Sequence, residues 1–182
     1  MNLPNQIETK RLILRPYCQA DFEVFSKIIE DDDVSKNLKF VLNIKPEKNK
    51  TSLFQYIIGS YSSKHPILAL IISTKQEGYY IGSCGLIPLE DGSGAEIFYI
   101  VFPKYRGYGY AIEAMKKLIE FAFKGLNLTR LITFIQPTNS RSWKVAERIG
   151  MKYLGHKQIR NISSKAMYFL IEKTEFEAQW DY

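Results

Sequence analysis

One stretch of the sequence reads Ile97-Phe98-Tyr99-Ile100-Val101-Phe102-Pro103-Lys104-Tyr105-Arg106-Gly107-Tyr108-Gly109-Tyr110-Ala111-Ile112-Glu113-Ala114-Met115. Its first six residues are apolar, mostly β-branched or aromatic, and predict a strand. Apolar residues recur at i, i+4, i+7 and i+11 from Ala111, which predicts a helix. Gly107 and Gly109 lie between the two, and without a Cβ they let the backbone turn sharply and approach a ligand. The first N–H groups of a helix suit a phosphate, although a tight connection without a ligand is equally open on these residues alone.

The glycine turn matches one phosphate-binding motif. A Walker loop would need Gly-Lys-Ser/Thr, and the dinucleotide fingerprint would need a third glycine at another spacing. The segment Arg106-Gly107-Tyr108-Gly109-Tyr110-Ala111 instead fits Arg/Gln-x-x-Gly-x-Gly/Ala. It resembles the acetyl-CoA pyrophosphate loop of the GNAT acetyltransferases, and residues 111–115 resemble the helix start of their RimJ/RimL branch. The resemblance implies that acetyl-CoA is the co-substrate and that residues 106–111 bind it.

Composition and charge limit the class of protein. The chain has 182 residues, 46% hydrophobic and 24% charged, which predicts a single globular domain over residues 1–182. Residues 1–91 hold 11 basic and 11 acidic side chains, whereas residues 92–182 hold 14 and 8. The whole net charge of +6 therefore lies in the half with the glycine turn. Such a field suits the phosphates of CoA, and charge alone would equally allow RNA.

Localisation and metal content are predicted from what the sequence lacks. The apolar run from Ile67 to Ile72 is much shorter than a membrane span, and no secretory signal is visible at the N-terminus. We therefore expect a cytoplasmic protein without a membrane partner. Cys18 and Cys84 form no ligand motif, and there are only two histidines, so we expect no metal site.

Apolar patterns along the rest of the chain predict a mixed sheet with flanking helices. Strands are predicted at 7–15, 66–74, 79–89, 95–102, 130–136, 153–159 and 165–172, the last two as a hairpin around residues 161–164. Helices are predicted at 22–29 with Asp21 as cap, from Pro46 to Tyr61, from Ala111 and from Asn139. This order resembles the GNAT fold, an α+β architecture with a mostly antiparallel central sheet of about seven strands and about four helices. The aspartates at 31–33 are expected to end the first helix, with attraction of a cationic acceptor as the alternative.

A second motif opens the helix after residue 138. Residues 139–151, Asn-Ser-Arg-Ser-Trp-Lys-Val-Ala-Glu-Arg-Ile-Gly-Met, resemble the Asn-x-x-Ser/Ala…Glu-Lys-x-Gly-Phe segment of the GNAT family. The resemblance implies that Asn139 reaches the pantetheine arm while also capping the helix. Ala146 stands where many members carry the tyrosine that protonates the departing thiolate. Ser142 stands where the RimJ/RimL branch has a serine proposed for that role, and a first-turn serine without chemistry is the alternative.

The implied reaction is direct transfer of an acetyl group from a thioester to an amine. The amine must lose a proton, and a carboxylate can accept it. Glu96 is the candidate, at the start of the central strand on the same side as Phe98 and Ile100, with a strand-end surface charge as the alternative. The carbonyl oxygen needs an N–H donor in the transition state, which the family takes from backbone near Ile100 and Val101.

Further cofactor contacts are predicted at two places. Tyr99 neighbours Ile100 and Val101 on the strand and is expected to bind the cofactor with them. Three basic residues at i, i+3 and i+7 of one helix are candidates for the 3′-phosphate of CoA, and a solvated basic face is the alternative for each: Arg141, Lys144 and Arg148.

The resemblance to the RimJ/RimL branch implies that the acceptor is a protein N-terminus, and it allows a monomer or a homodimer. A small amine such as a polyamine or an aminoglycoside is the main alternative. A CoA-binding sensor without catalysis is another, because the usual tyrosine is missing. An RNA-binding module is the weakest, since the aromatic and basic signatures of RNA-binding folds are missing, and nucleic acid is expected only through a ribosomal substrate. The loops around 31–45 and 158–166 carry no motif that identifies the acceptor.

Overall fold

The chain folds around one eight-stranded sheet with the spatial order β1-β2-β3-β4-β5-β6-β8-β7. The computed structural model describes residues 4–42, 49–159 and 165–180, and the side chains of 38–42 and 179–180 lie outside that description. The strands are β1 (Ile7–Glu8), β2 (Leu12–Pro16), β3 (Leu68–Thr74), β4 (Tyr80–Pro88), β5 (Gly94–Val101), β6 (Arg130–Ile135), β7 (Lys152–Gln158) and β8 (Lys165–Glu172). Neighbouring strands pair antiparallel except for β5 and β6, which run parallel.

Six α-helices flank this sheet in the described part of the chain. They are α1 (Phe22–Glu30), α2 (Asp32–Leu42), α3 (Lys50–Ser60), α4 (Tyr110–Glu120), α5 (Ser140–Arg148) and α6 (Lys173–Trp180). The α+β class and the mostly antiparallel sheet agree with the prediction. The order of the predicted elements also agrees with the prediction. The structure adds a second strand in residues 7–16 and the two helices α2 and α6.

The sheet separates two apolar clusters, because side chains alternate between its faces. The larger cluster packs α4, α5 and α6 against one face and contains Leu70, Ile97 and Met115 among others. The smaller cluster packs α1 and α3 against the other face, with Phe25, Phe54 and Ile71 among its members. Each face of the sheet therefore has its own set of helices.

The first predicted strand forms two strands in the structure. The N–H of Thr9 donates to the carbonyl of Leu12 at 3.0 Å, which folds residues 7–16 into the short antiparallel pair β1 and β2. A strand pattern in the sequence does not reveal a break of this kind, because apolar residues lie on both sides of it. The additional strand brings the number from about seven to eight.

The aspartates at 31–33 both end one helix and begin another. Asp31 has extended backbone and ends α1, as predicted. Its carboxylate accepts the N–H of Val34 at 3.1 Å, and α2 begins at Asp32. Carboxylates are favourable at a helix N-terminus, so the same residues that stop α1 support α2. Sequence reasoning missed α2 and α6. The predicted helix start at Pro46 and the turn at 161–164 lie outside the described residues.

Asp21 is a buried ion-pair partner and not the side-chain cap that the sequence predicted. Its carboxylate accepts hydrogen bonds from both terminal nitrogens of Arg15, at 2.7 and 2.8 Å, and from the N–H of Cys18 at 2.7 Å. Burial opposes ionisation of this group, but the bonds from Arg15 and Cys18 outweigh it and lower the pKa of Asp21 to about 2. The pair fixes the start of α1 against the end of β2.

Candidate active site

A cleft of about 480 Å³ opens where β5 and β6 diverge. The two strands pair over three positions, from Gly94 with Arg130 to Glu96 with Ile132. Beyond Glu96, β5 continues to Val101 and β6 to Ile135 without further pairing between them in the described sheet. Residues of both diverging ends line the cleft, and their peptide groups do not pair with one another across the gap in the described sheet. Peptide groups of this kind are strong donors and acceptors and can bind a ligand that carries amide groups.

The cleft connects the two faces of the sheet. Ile97 and Tyr99 of β5 pack with the cluster that contains α4 and α5. Phe98 packs with the cluster of α1 and α3, and Glu96 shares its side of the strand. We call the face of the sheet that packs against α4 and α5 the cofactor side, because it holds the glycine turn. We call the face that packs against α1 and α3 the acceptor side. Glu96 lies at the point where the strands part, on the acceptor side.

The glycine turn has the geometry that the sequence predicted for a helix start. Gly107 and Gly109 both have left-handed backbone, with φ of 87° and 79°, and Gly109 is the N-cap of α4. The cleft is lined by five of the six residues predicted to bind pyrophosphate, Arg106, Gly107, Gly109, Tyr110 and Ala111. Tyr108 is the exception, with a side chain that is 63% exposed and a ring that stacks on Tyr110. Only its backbone remains a candidate for contact with a ligand.

Arg11 holds the turn from the other side, a role that sequence reasoning missed. Its Nε lies 2.6 Å from Oε2 of Glu113 in the first turn of α4, and its Nη1 donates to the carbonyl of Tyr108 at 3.0 Å. The guanidinium also lies 4.6 Å from the centre of the Tyr110 ring. Thr9 Oγ1 donates to the second Glu113 oxygen at 2.6 Å. Burial disfavours the charged Glu113, but the bonds from Thr9 and Arg11 outweigh it and lower its pKa.

Helix α2 contacts the cofactor side through Asp33. Nη1 of Arg106 lies 2.6 Å from Oδ2 of Asp33, and Nη2 of Arg141 lies 3.8 Å from the same oxygen. Two cations that the sequence assigned to phosphates of CoA therefore share one carboxylate. Nearby, Nδ2 of Asn139 donates to Oδ1 of Asn37 at 2.9 Å. These contacts tie α2 to both the glycine turn and the start of α5.

The start of α5 brings together the residues predicted to act near the thioester. Oδ1 of Asn139 accepts the N–H of Ser142 at 3.2 Å, which is the predicted cap. The Tyr99 hydroxyl donates to the backbone carbonyl of Ser142 at 2.5 Å. Burial raises the pKa of Tyr99, so the phenol stays protonated. Ala146, at the position of the family's tyrosine, is fully buried in the core.

The basic residues of α5 also line the cleft. Arg141 is 69% exposed, and the ammonium of Lys144 lies 5.6 Å from the Trp143 ring. Their helix therefore presents positive charge beside the cofactor side. This surface comprises Arg141, Lys144 and Arg148.

The carboxyl group of Glu96 is perturbed by its position in the cleft. Burial raises its pKa from 4.5 to about 7, and a hydrogen bond from the backbone N–H of Phe134 offsets this only in part. About half of such groups are ionised at neutral pH, so Glu96 is able both to take up and to release a proton. Its burial disfavours the alternative of a simple surface charge.

The described residues also bear on metal binding and on membrane insertion. No group of three or more His, Cys, Asp and Glu side chains there is arranged to hold a metal ion. None of the described helices is both long enough and apolar enough to span a membrane.

The chain matches a known family and is similar to known proteins. Residues 11–152 match the family model described as acetyltransferase (GNAT) domain. The uncharacterized N-acetyltransferase p20 of Bacillus licheniformis is 30% identical over 150 residues, which are 81% of this chain and 82% of p20. The uncharacterized N-acetyltransferase YnaD of Bacillus subtilis (strain 168) is 28% identical over 149 residues, 82% of this chain and 84% of YnaD.

Solved structures share the fold. The acetyltransferase (GNAT family) from Bacillus anthracis superposes with a TM-score of 0.77 and 25% identity, over 93% of this chain and 99% of that one. Mycobacterium smegmatis RimJ in complex with CoA-disulfide superposes with a TM-score of 0.77, over 96% of this chain and 94% of that one. Its identity is 16%, so the likeness to RimJ concerns the fold alone.

Proposed function

The chain belongs to the GNAT family of acetyltransferases and uses acetyl-CoA as co-substrate, and we propose that its acceptor is the N-terminal α-amine of a protein. The resemblance of residues 111–115 and 139–151 to the RimJ/RimL branch supports this choice, because that branch acts on ribosomal proteins. The position and chemistry of Glu96 support it independently.

The proposal rests on the position and the pKa of Glu96. This residue lies at the junction of the cofactor and acceptor sides, with a pKa of about 7. An α-amine has a pKa of about 7.7 to 8.0, so about a tenth is neutral at pH 7. A lysine-type amine with a pKa of about 10.4 has fewer than about one neutral molecule in a thousand at that pH. At neutral pH the reactive fraction of an α-amine is therefore about a hundred times or more that of an alkylamine, which favours the α-amine as acceptor.

The charges of the cleft argue against the polyamine and aminoglycoside alternatives. Polycations need several carboxylates, whereas the described cleft lining contains only Asp33 and Glu96. Asp33 is already paired with Arg106. The stretches 38–48 and 160–164, whose side chains are not described, contain one acidic residue, Glu47, and four basic ones. A site for a polycation would therefore lack counter-charges.

The proposed reaction uses groups on both sides of the cleft. The amine nitrogen attacks the acetyl carbon and transfers its proton to Glu96. A backbone N–H near Ile100 or Val101 stabilises the charge that develops on the carbonyl oxygen. The carbon–sulfur bond then breaks, Ser142 donates its hydroxyl proton to the CoA thiolate and regains one from water, and Glu96 releases the amine proton to water. The protonated phenol of Tyr99 bonds the carbonyl of Ser142 and so fixes the serine in the cleft.

The proposed binding of acetyl-CoA follows from the cofactor side. The pyrophosphate lies against the N-terminus of α4, where backbone N–H groups and the helix dipole favour an anion. Arg106 and the backbone of the glycine turn surround it. The pantetheine arm lies between β5 and β6 and reaches Asn139, and Arg148 contributes positive charge nearby. The 3′-phosphate is assigned to the basic surface of α5.

The test is an acetyl-transfer assay with three classes of acceptor. One peptide has a free N-terminus and an internal lysine, a second is the same peptide with its α-amine blocked, and the third class comprises spermidine and kanamycin. We expect acetylation of the first peptide only, with the acetyl group located on its α-amine by tandem mass spectrometry. Acetylation of the blocked peptide, or faster acetylation of spermidine or kanamycin, would contradict the proposed acceptor.

A further inference from the structure

The acceptor side of the cleft is lined by apolar side chains from two helices and the sheet. Among them are Phe25 and Ile29 of α1, Leu53 and Ile57 of α3, and Phe98 of β5. All five belong to, or pack against, the smaller apolar cluster. The wall is therefore continuous with a core and does not consist of isolated surface residues.

Polar groups on this wall are bound within the protein. The Ser83 hydroxyl donates to the carbonyl of Leu70 at 3.0 Å. The Tyr61 hydroxyl behind the wall donates to the carbonyl of Ala69 at 2.8 Å. Glu96 is the one carboxylate that the described acceptor side presents to a ligand. A bound acceptor therefore meets one carboxylate, that of Glu96, beside the apolar side chains of the wall.

Aromatic packing fixes the position of this wall. The rings of Tyr17 and Phe25 meet edge to face with centroids 5.7 Å apart, and Phe25 lies 5.0 Å from Phe54. A Cβ built on Gly85 would lie only 2.5 Å from the Phe98 ring, so that ring rests directly on the backbone of β4. These ring contacts fix the side chains of the wall, so we expect the wall to keep its width when a small acceptor binds.

From this wall we infer that the accepted amine is attached to an apolar group of about the size of a leucine or phenylalanine side chain. The inference rests on the proposed function, under which that group is the side chain of the acceptor's first residue. An alanine or serine at that place would leave most of the wall without a contact. A charged residue would lose its hydration without gaining a partner.

The test uses peptides that are identical except at their first residue, which is Leu, Phe, Ala, Ser, Asp or Lys. We expect kcat/KM for the Leu and Phe peptides to exceed that for the Ala and Ser peptides by at least about tenfold. One methylene group in an apolar pocket changes kcat/KM by about tenfold or more. Two small amines, 2-phenylethylamine and spermidine, complete the panel. Their purpose is to separate the apolar group from the peptide that carries it.

Leu53→Asp changes the wall itself, because Leu53 is only partly buried and lines the cleft. The variant should have a kcat/KM for the Leu peptide that is lower by at least about tenfold. The ratio of kcat/KM for the Lys peptide to kcat/KM for the Leu peptide should rise. Tyr56→Asp is the matched control, since it adds the same charge to the exposed side of the same helix, where Tyr56 is 65% exposed. If Leu53→Asp does not fold, Leu53→Ala should shift preference from the Leu to the Phe peptide.

The outcomes separate this inference from the proposed function. Preference for Ala or Ser peptides, or the same response to Leu53→Asp and Tyr56→Asp, would overturn the inference and leave the α-amine as acceptor. Acetylation of 2-phenylethylamine without any peptide would overturn the proposed function and support the apolar group. Preference for spermidine would overturn both.

Discussion

Glu96→Gln removes the proposed proton acceptor and keeps the shape of the side chain. With a pKa of about 7, the ionised fraction of Glu96 rises from about a tenth at pH 6 to about nine tenths at pH 8. The variant has no such titration. The ratio of parent to variant kcat/KM should therefore rise about tenfold between pH 6 and pH 8, because titration of the acceptor amine affects both enzymes equally.

The assay is the release of CoA thiol with one peptide acceptor, measured for both enzymes between pH 6 and pH 9. At pH 8 we expect the variant to be slower by about a hundredfold or more. Higher pH should raise the absolute rate of both enzymes by supplying neutral amine, so the variant also becomes faster while its ratio to the parent does not recover. A ratio that is the same at every pH would refute the assignment of Glu96 as base, and activity close to that of the parent would remove it from the reaction.

The same perturbed group gives a readout that does not depend on catalysis. Between pH 4.5 and 7 the unfolded chain has Glu96 ionised while the folded chain keeps its proton, so the folded state binds more protons. The free energy of unfolding of the parent should therefore fall as pH rises, and the variant lacks this contribution. We expect the stability of Glu96→Gln relative to the parent to increase by about 2 to 3 kcal/mol from pH 5 to pH 8. Urea unfolding measures it, and a constant difference would indicate a carboxyl of ordinary pKa.

Other groups of the cofactor side give separate outcomes. Ser142→Ala should lower kcat by about tenfold or more and leave the Kd for acetyl-CoA unchanged, because an interaction made only in the transition state appears in kcat; calorimetry would detect a large loss of affinity, which would make Ser142 a binding residue. Asp33→Asn should tighten binding of CoA, most strongly at low salt, because it releases Arg106 from a competing carboxylate; weaker binding would mean that Asp33 holds the turn in its binding shape. Replacing all three residues of the basic surface of α5 by glutamine should weaken binding of CoA more than binding of dephospho-CoA. Equal weakening of both would exclude contact with the 3′-phosphate. The three residues are Arg141, Lys144 and Arg148.

Local pattern predicted the elements that position the cofactor side. The strand, the turn and the helix around Gly107 and Gly109 follow from side-chain period and from the need for left-handed backbone, and both are properties of a few consecutive residues. The cap by Asn139 is local in the same sense. The start of α2 was misread because an aspartate run ends one helix and begins the next with the same chemistry.

Contacts between distant parts of the chain could not be predicted from the sequence. Arg11 and Glu113 meet across 102 positions, and Arg106 meets Asp33 across 73. Neither pair leaves a periodic signal, because each residue alone is an ordinary surface charge. Glu96 was a candidate from its place on β5, but its raised pKa depends on burial by elements from several parts of the chain. Reactivity of this kind is a property of the assembled cleft.

A ligand in the cleft beside the short junction between β5 and β6 adds to the stability of the folded protein. In the described sheet, three residue pairs of β5 and β6 join the five strands before the cleft to the three after it. Under the proposed binding, a thioester between the diverging strands contacts both parts of the sheet and requires the folded chain. By mass action, acetyl-CoA at a hundred times its Kd adds about 2.7 kcal/mol to the free energy of unfolding. Under the proposed binding, a fall in acetyl-CoA lowers this contribution and enlarges the unfolded population that proteases attack.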